Sequence, residues 1–158
     1  MPQRPALDET PAGHLSEAGL QGIVGYQIAQ AQLSTLDVFR RFAGQPHDLR
    51  PVEFTILALV EHNPGVSARQ LARALAVTPP NLTTWLERLE RRGLISRERS
   101  ATDRRTQRVS TTTEGSQTAR AAAQGLIEGE RAALASLSAA ELAMLRELLH
   151  KVASHRPR

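Results

Sequence analysis

The 158-residue chain has no cysteine. That excludes a disulfide scaffold, a thiol nucleophile, a thiol redox switch and any cysteinyl metal site, and it leaves the compartment unset by redox chemistry. Lysine is nearly missing as well: Lys151 is the only one, so positive charge is carried by arginine. No stretch approaches the roughly 18 consecutive apolar residues of a spanning helix, and the N-terminal run has no apolar signal core. A cytoplasmic chain with no membrane partner is expected. His14, His47, His62, His150 and His155 show no HExxH or other close metal-ligand spacing, and neither a phosphate-cradling glycine loop nor a nucleophile elbow is present. The expectation is a protein that is not an enzyme, with no catalytic residue, no metal site and no cofactor.

What is present is a single-domain length with an uneven charge. The formal charge is +4, but between Arg88 and Arg108 eight arginines face Glu90, Glu98 and Asp103, a local surplus of five. Two readings are open: a face for a polyanion, or a solvated face of an arginine-rich chain.

Residues 1–16 hold Pro2, Pro5, Pro11 and Gly13 with little apolar content and read as a flexible arm. From Glu17 to Phe42 apolar residues recur at helical spacing, which predicts a long first helix closed by Gly44 and Pro46. Pro51 suits the first turn of a second helix, ended by His62-Asn-Pro-Gly65. Ser67-Ala-Arg-Gln70 has capping-box spacing and opens a short helix through Leu75. Thr78-Pro79 repeats the cap-plus-proline start, Leu82, Trp85, Leu86 and Leu89 mark one apolar face, and Gly93 stops the helix. Leu94–Arg99 and Arg108–Thr112 are strand candidates of an antiparallel hairpin. After Thr113-Glu-Gly-Ser an alanine-rich helix runs to about Ser136, where Gly125 and Gly129 allow bending or close packing. Ser138-Ala-Ala-Glu141 is a capping box for a last helix bearing Leu142, Leu145, Leu148, Leu149 and Val152. The fold class that follows is mainly α with a small β-hairpin: a helix-turn-helix with a wing behind it.

A recognition helix keeps apolar residues on one side and leaves short polar groups in its first turns free for base edges. Thr78, Pro79, Asn81, Thr83 and Thr84 fit that description, with Arg88 further along. Ser67 and the helix start are candidates for phosphate contact. At the wing tip Arg104 and Arg105 are long, permanently charged donors suited to a narrow minor groove. Asp103 beside them reads either as a partner orienting a guanidinium or as a turn former.

Leu71-Ala-Arg-Ala-Leu-Ala-Val-Thr78, Leu82-Thr-Thr-Trp-Leu-Glu-Arg-Leu-Glu-Arg-Arg-Gly-Leu-Ile95 and Asp103-Arg-Arg-Thr-Gln-Arg-Val-Ser-Thr-Thr-Thr-Glu-Gly115 resemble the winged helix-turn-helix of the MarR family of bacterial transcriptional regulators. The resemblance implies a homodimer intertwined through its first and last helices. It divides the chain into the arm (1–16), a dimerisation helix (17–45), the winged DNA-binding region (46–113) and C-terminal dimerisation helices (114–154). It further implies a repressor on palindromic double-stranded DNA, released by a small aromatic or lipophilic effector, with Arg105 as the minor-groove arginine and Asp103 as its orienter. Tyr26, Phe39, Arg40, Phe54 and His62 lie on segments that border the family's usual pocket; such a lining favours an aromatic acid or its thioester. Thr84 stands where the family often has arginine, and Arg50 where a capping hydroxyl is usual. The alternative is a winged-helix protein-interaction module, or an architectural DNA-binding module, without a ligand.

Overall fold

The computed structural model describes residues 9–99 and 107–155, Arg99 by its backbone alone. Six helices carry most of the chain: α1 (Val24–Phe39), α2 (Pro51–His62), α3 (Ala68–Leu75), α4 (Pro79–Arg91), α5 (Thr113–Ala133) and α6 (Ala139–Ser154). Three short strands, β1 (Val66–Ser67), β2 (Ile95–Arg99) and β3 (Gln107–Thr111), form an antiparallel sheet in the order β1-β3-β2. The chain divides into two compact units, one ending at Asp37 and one beginning at Val38.

In the first unit a 3-10 turn, Ala18–Gly22, precedes α1, so the single helix expected from Glu17 begins in two pieces separated by extended Ile23. Glu17 is buried and accepts a hydrogen bond from the Tyr26 hydroxyl at 3.0 Å. Beyond α1 the backbone does not stop at Gly44. It widens into a π turn over Arg40–Gly44, with the Gln45 N–H bonded to the Arg40 carbonyl, and adds a helical turn, Gln45–His47, before left-handed Asp48 ends it. Pro46 is tolerated because it lies in the first turn of that last piece, where its missing N–H leaves no helical bond unmade.

The second unit holds the core. Ile56, Leu57 and Val60 of α2, Leu71 of α3, Leu82, Leu86 and Leu89 of α4, Ile95, Val109, and Ala119 and Ala122 of α5 are all buried together. Each such large aliphatic side chain contributes about 1.5–3 kcal/mol relative to exposure. Local signals start and stop these helices. Ser67 and Ser138 each make the reciprocal capping box with Gln70 and Glu141. At Gly93, φ +68°, the N–H of Gly93 reaches the Glu90 carbonyl and the N–H of Leu94 reaches the Leu89 carbonyl, a Schellman stop that also buries Leu94 against Leu89.

The sheet register pairs Ile95 with Thr111 and Arg99 with Gln107. On the other edge of β3, Val66 pairs with Val109 and Ser67 with Arg108. This third strand is too short to carry an alternating pattern; it exists because β3 offers it partners 41 and 43 residues away.

Thr-Glu-Gly closes the hairpin onto α5. Thr112 is the N-cap, accepting the Gly115 N–H at 3.0 Å while its hydroxyl donates to the Gly93 carbonyl at 2.6 Å. A Cβ on Gly115 would lie 1.7 Å from the Leu94 carbonyl oxygen, so only glycine permits this approach. Gly125 and Gly129 serve packing rather than bending: added Cβ atoms would meet the Phe42 carbonyl at 2.6 Å and the Phe42 ring at 2.5 Å. Gly115→Ala is therefore expected to cost about 3 kcal/mol in urea denaturation, at the upper end for overpacking. An unchanged midpoint would show that α5 does not start against Leu94.

Candidate nucleic-acid interface

α3 and α4 are joined at Ala76, whose backbone is left-handed at φ 53°, and the Val77 N–H returns to the Ala72 carbonyl at 3.0 Å. That turn is the compact link of a helix-turn-helix. α4 buries Leu82, Leu86 and Leu89, and Trp85 packs half-buried against the same core. Thr78, Pro79, Asn81, Thr83 and Thr84 are exposed on its other side, so the structure gathers these five expected residues on the free face of one helix.

Their chemistry is more restricted than their residue types suggest. The Thr83 hydroxyl donates to the Pro79 carbonyl at 3.0 Å and the Thr84 hydroxyl to the Pro80 carbonyl at 3.2 Å. Each threonine therefore presents a methyl group and free lone pairs, a surface for a thymine methyl or for a donor on adenine or cytosine. Thr78 occupies the N-cap without a side-chain capping bond. Since Pro79 and Pro80 have no N–H, Asn81 is the sole donor among the first three helical residues.

Ser67 spends its hydroxyl on the α3 cap, donating to Gln70 Oε1 at 2.7 Å and accepting the Gln70 N–H at 3.2 Å. Arg88 is held from below: its Nε lies 3.2 Å from Glu53 Oε1 and its terminal nitrogen 3.4 Å from Asp48 Oδ2. Asp103, Arg104 and Arg105 lie outside the described residues. Two cations that sequence reasoning passed over stand on α3. Arg69 and Arg73, one helical turn apart and exposed, flank a groove of about 560 Å³ floored by Ala72, Val77 and Leu82. Their i, i+4 spacing was a readable signal.

Among the described residues, the arginines of this run have partners inside the molecule. Arg97 pairs with Glu90, Nε to Oε2 at 2.8 Å, and this bond holds the Glu90 carboxyl below its ordinary range and raises the guanidinium. Arg108 donates to the Gly65 carbonyl at 3.2 Å. The pairings tie the wing strands to the helix-turn-helix.

Glu61, at the end of α2, bonds to two other elements at once. It accepts from Thr111 of β3 at 2.9 Å, from Ser116 of α5 at 2.8 Å, and from the Arg120 guanidinium at 3.0 and 2.8 Å. These bonds, Ser116 first, then Arg120 and Thr111, lower its carboxyl to about 2 against some desolvation.

Of the expected effector residues, Phe39 and Phe54 meet, with ring centroids 6.0 Å apart and tilted by 56°. His62 is exposed at the far end of α2, eight residues and about 12 Å of helix rise from Phe54. Arg40 is exposed in the π turn. Tyr26 belongs to the first unit, where desolvation and the Glu17 hydrogen bond push its phenol up. No helix of the described residues is long and apolar enough to cross a membrane.

Comparison with known proteins agrees with this arrangement. The family model described as MarR family matches residues 49–106. A regulatory protein assigned to the hcr operon in Thauera aromatica is 28% identical over 138 residues, covering 87% of this chain and 83% of its own. The transcriptional repressor CouR, solved bound to a 23-mer DNA duplex, is 30% identical with a TM-score of 0.81, covering 88% of this chain and 98% of its own. A single-site variant of MarR from E. coli, complexed with operator DNA, is 25% identical with a TM-score of 0.73, covering 82% of this chain and 92% of its own.

The Glu61 cluster has a measurable pH signature. Its folded value, about 2, lies below the ordinary 4.5, so the ionised group stabilises the fold fully above about pH 4.5 and loses that contribution as pH falls towards 2. In chemical denaturation the gap between wild type and Glu61→Gln is expected to be constant near neutrality and to shrink across that window. A gap independent of pH would contradict the assignment.

Proposed function

Because the chain belongs to the MarR family of transcriptional regulators, we propose that it acts as a homodimeric repressor that reads a palindromic operator and is released by a small aromatic or lipophilic effector. The single observation that carries the DNA reading is the exposed row Thr78, Asn81, Thr83 and Thr84 on a helix whose other side is buried. The DNA complexes of CouR and of the E. coli protein support it. In this reading α4 enters the major groove, Arg69 and Arg73 stand towards phosphates, and Arg105, oriented by Asp103, enters the minor groove.

Unpartnered apolar surface supports the dimer. On α1, Val24 and Leu33 are 64% and 65% exposed. On α6 no residue is buried, and Met144, Leu148 and Val152 stand open to solvent. A second copy is the cover that closed symmetry provides. For the effector, the Phe39–Phe54 pair with Arg40 nearby in sequence supports an aromatic acid or its thioester.

Fluorescence anisotropy against the DNA upstream of the chain's own gene, and against a shuffled duplex, tests the reading. A preference of about a thousandfold is expected, with Arg105→Ala binding far more weakly, Asp103→Ala less affected, and both still dimeric. Benzoate or benzoyl-coenzyme A is expected to raise the melting temperature and release the duplex. Equal, weak binding of both duplexes would favour an architectural or protein-binding module; unchanged affinity in Arg105→Ala would remove the minor-groove role.

A further inference from the structure

The loop between the π turn and α2 is held by the C-terminal half of α4. Arg92, the C-cap residue of α4, donates to the His47 carbonyl at 2.8 Å and to the Asp48 carbonyl, and its guanidinium lies 3.7 Å from the Asp48 carboxylate. One turn earlier, Arg88 reaches both the Asp48 carboxylate and Glu53 Oε1. Glu53 is fully buried, and its other oxygen accepts the Arg50 N–H at 2.9 Å. Six residues thus form one polar knot between the α1–α2 junction and the end of α4.

We infer that Arg92, supported by Arg88, is a positioning residue that sets where the reading face of α4 sits. The inference rests on the DNA-binding reading proposed above. Carbonyls at a helix end lack intrahelical donors and carry the negative end of the dipole, so a guanidinium there gains both hydrogen bonds and charge. Its planar fork fixes direction as well as distance, which an ammonium does not.

The knot acts at a distance from the bases. Arg92 follows the 13 residues of α4, so about 20 Å of helix rise separates it from Thr78. A tilt of about 5° at the knot moves the first turn by roughly 2 Å, beyond the tolerance of a preorganised contact. Arg92 also has two structural acceptors while remaining 27% exposed, which leaves a phosphate contact as the competing role.

The test compares wild type, Arg92→Gln and Arg92→Lys, as full-length dimers, on the specific and the shuffled duplex across a range of salt. Melting is followed in parallel, and binding is read at a temperature where all three are folded. Arg92→Gln is expected to lose about tenfold or more on the specific duplex alone, lowering the specificity ratio by that factor. The salt slope on the shuffled duplex should stay unchanged, and Arg92→Lys, which keeps the charge without the fork, should recover less than half of the loss. Equal losses on both duplexes with a slope flattened by about 0.9 would make Arg92 a phosphate contact and overturn the inference. An unchanged ratio in both variants would overturn it too. If wild type itself shows no preference, the DNA-binding reading fails and the inference with it.

Discussion

A carboxylate with no solvent must find hydrogen bonds and opposite charge within the protein, and Glu53 is the side chain under that constraint. Its position in the first turn of α2 lets one oxygen take the Arg50 N–H, the half of a capping box that needs no hydroxyl at Arg50. The other oxygen has no hydrogen bond and is compensated by charge alone, with Arg88 Nε of α4 at 3.2 Å. One buried charge therefore fixes where α2 starts and which way the second half of α4 faces. The core leucines fill the space between the helices, but apolar packing alone does not choose direction; the knot of Glu53, Asp48, Arg88 and Arg92 does.

A second carboxylate does the same for the wing. Glu61 closes the other end of α2 against β3 and α5, and Arg97 with Glu90 ties β2 to α4. α2 thus has an ionic joint at each end, one towards the recognition helix and one towards the wing. Among the described residues, the arginines of the run that reads in sequence as a polyanion face serve this internal bracing. Arg88, Arg92, Arg97 and Arg108 have intramolecular acceptors. The cations left open on α3, Arg69 and Arg73, lie outside that charge run.

Local chemistry was legible in the sequence. Pro51, the serines of the two capping boxes, Gly93 and the hairpin strands marked element boundaries to within a residue or two, because each signal acts through its immediate neighbours. Long-range pairing was not. β1 exists through β3, the π turn carries the backbone past Gly44, and the space taken by the Leu94 carbonyl explains Gly115. The exposed face of α4 was legible as residue types, and Thr83 and Thr84 stand on it. That their hydroxyls are turned back to Pro79 and Pro80 depends on rotamers no pattern encodes. The aromatic pair Phe39 and Phe54 forms, whereas His62 stands at the opposite end of α2, a separation that helical rise alone implied.

In the proposed function, two copies of this helix-turn-helix read one DNA site from the major groove, with the wings outside. Hydroxyl-radical footprinting of the purified protein on the DNA upstream of its gene tests it most directly. Dyad-symmetric protection is expected, with equivalent positions in the half-sites spaced by whole turns of about 10–10.5 base pairs and a protected minor groove at each flank. A single asymmetric footprint, or protection without flanking minor-groove contacts, would contradict it.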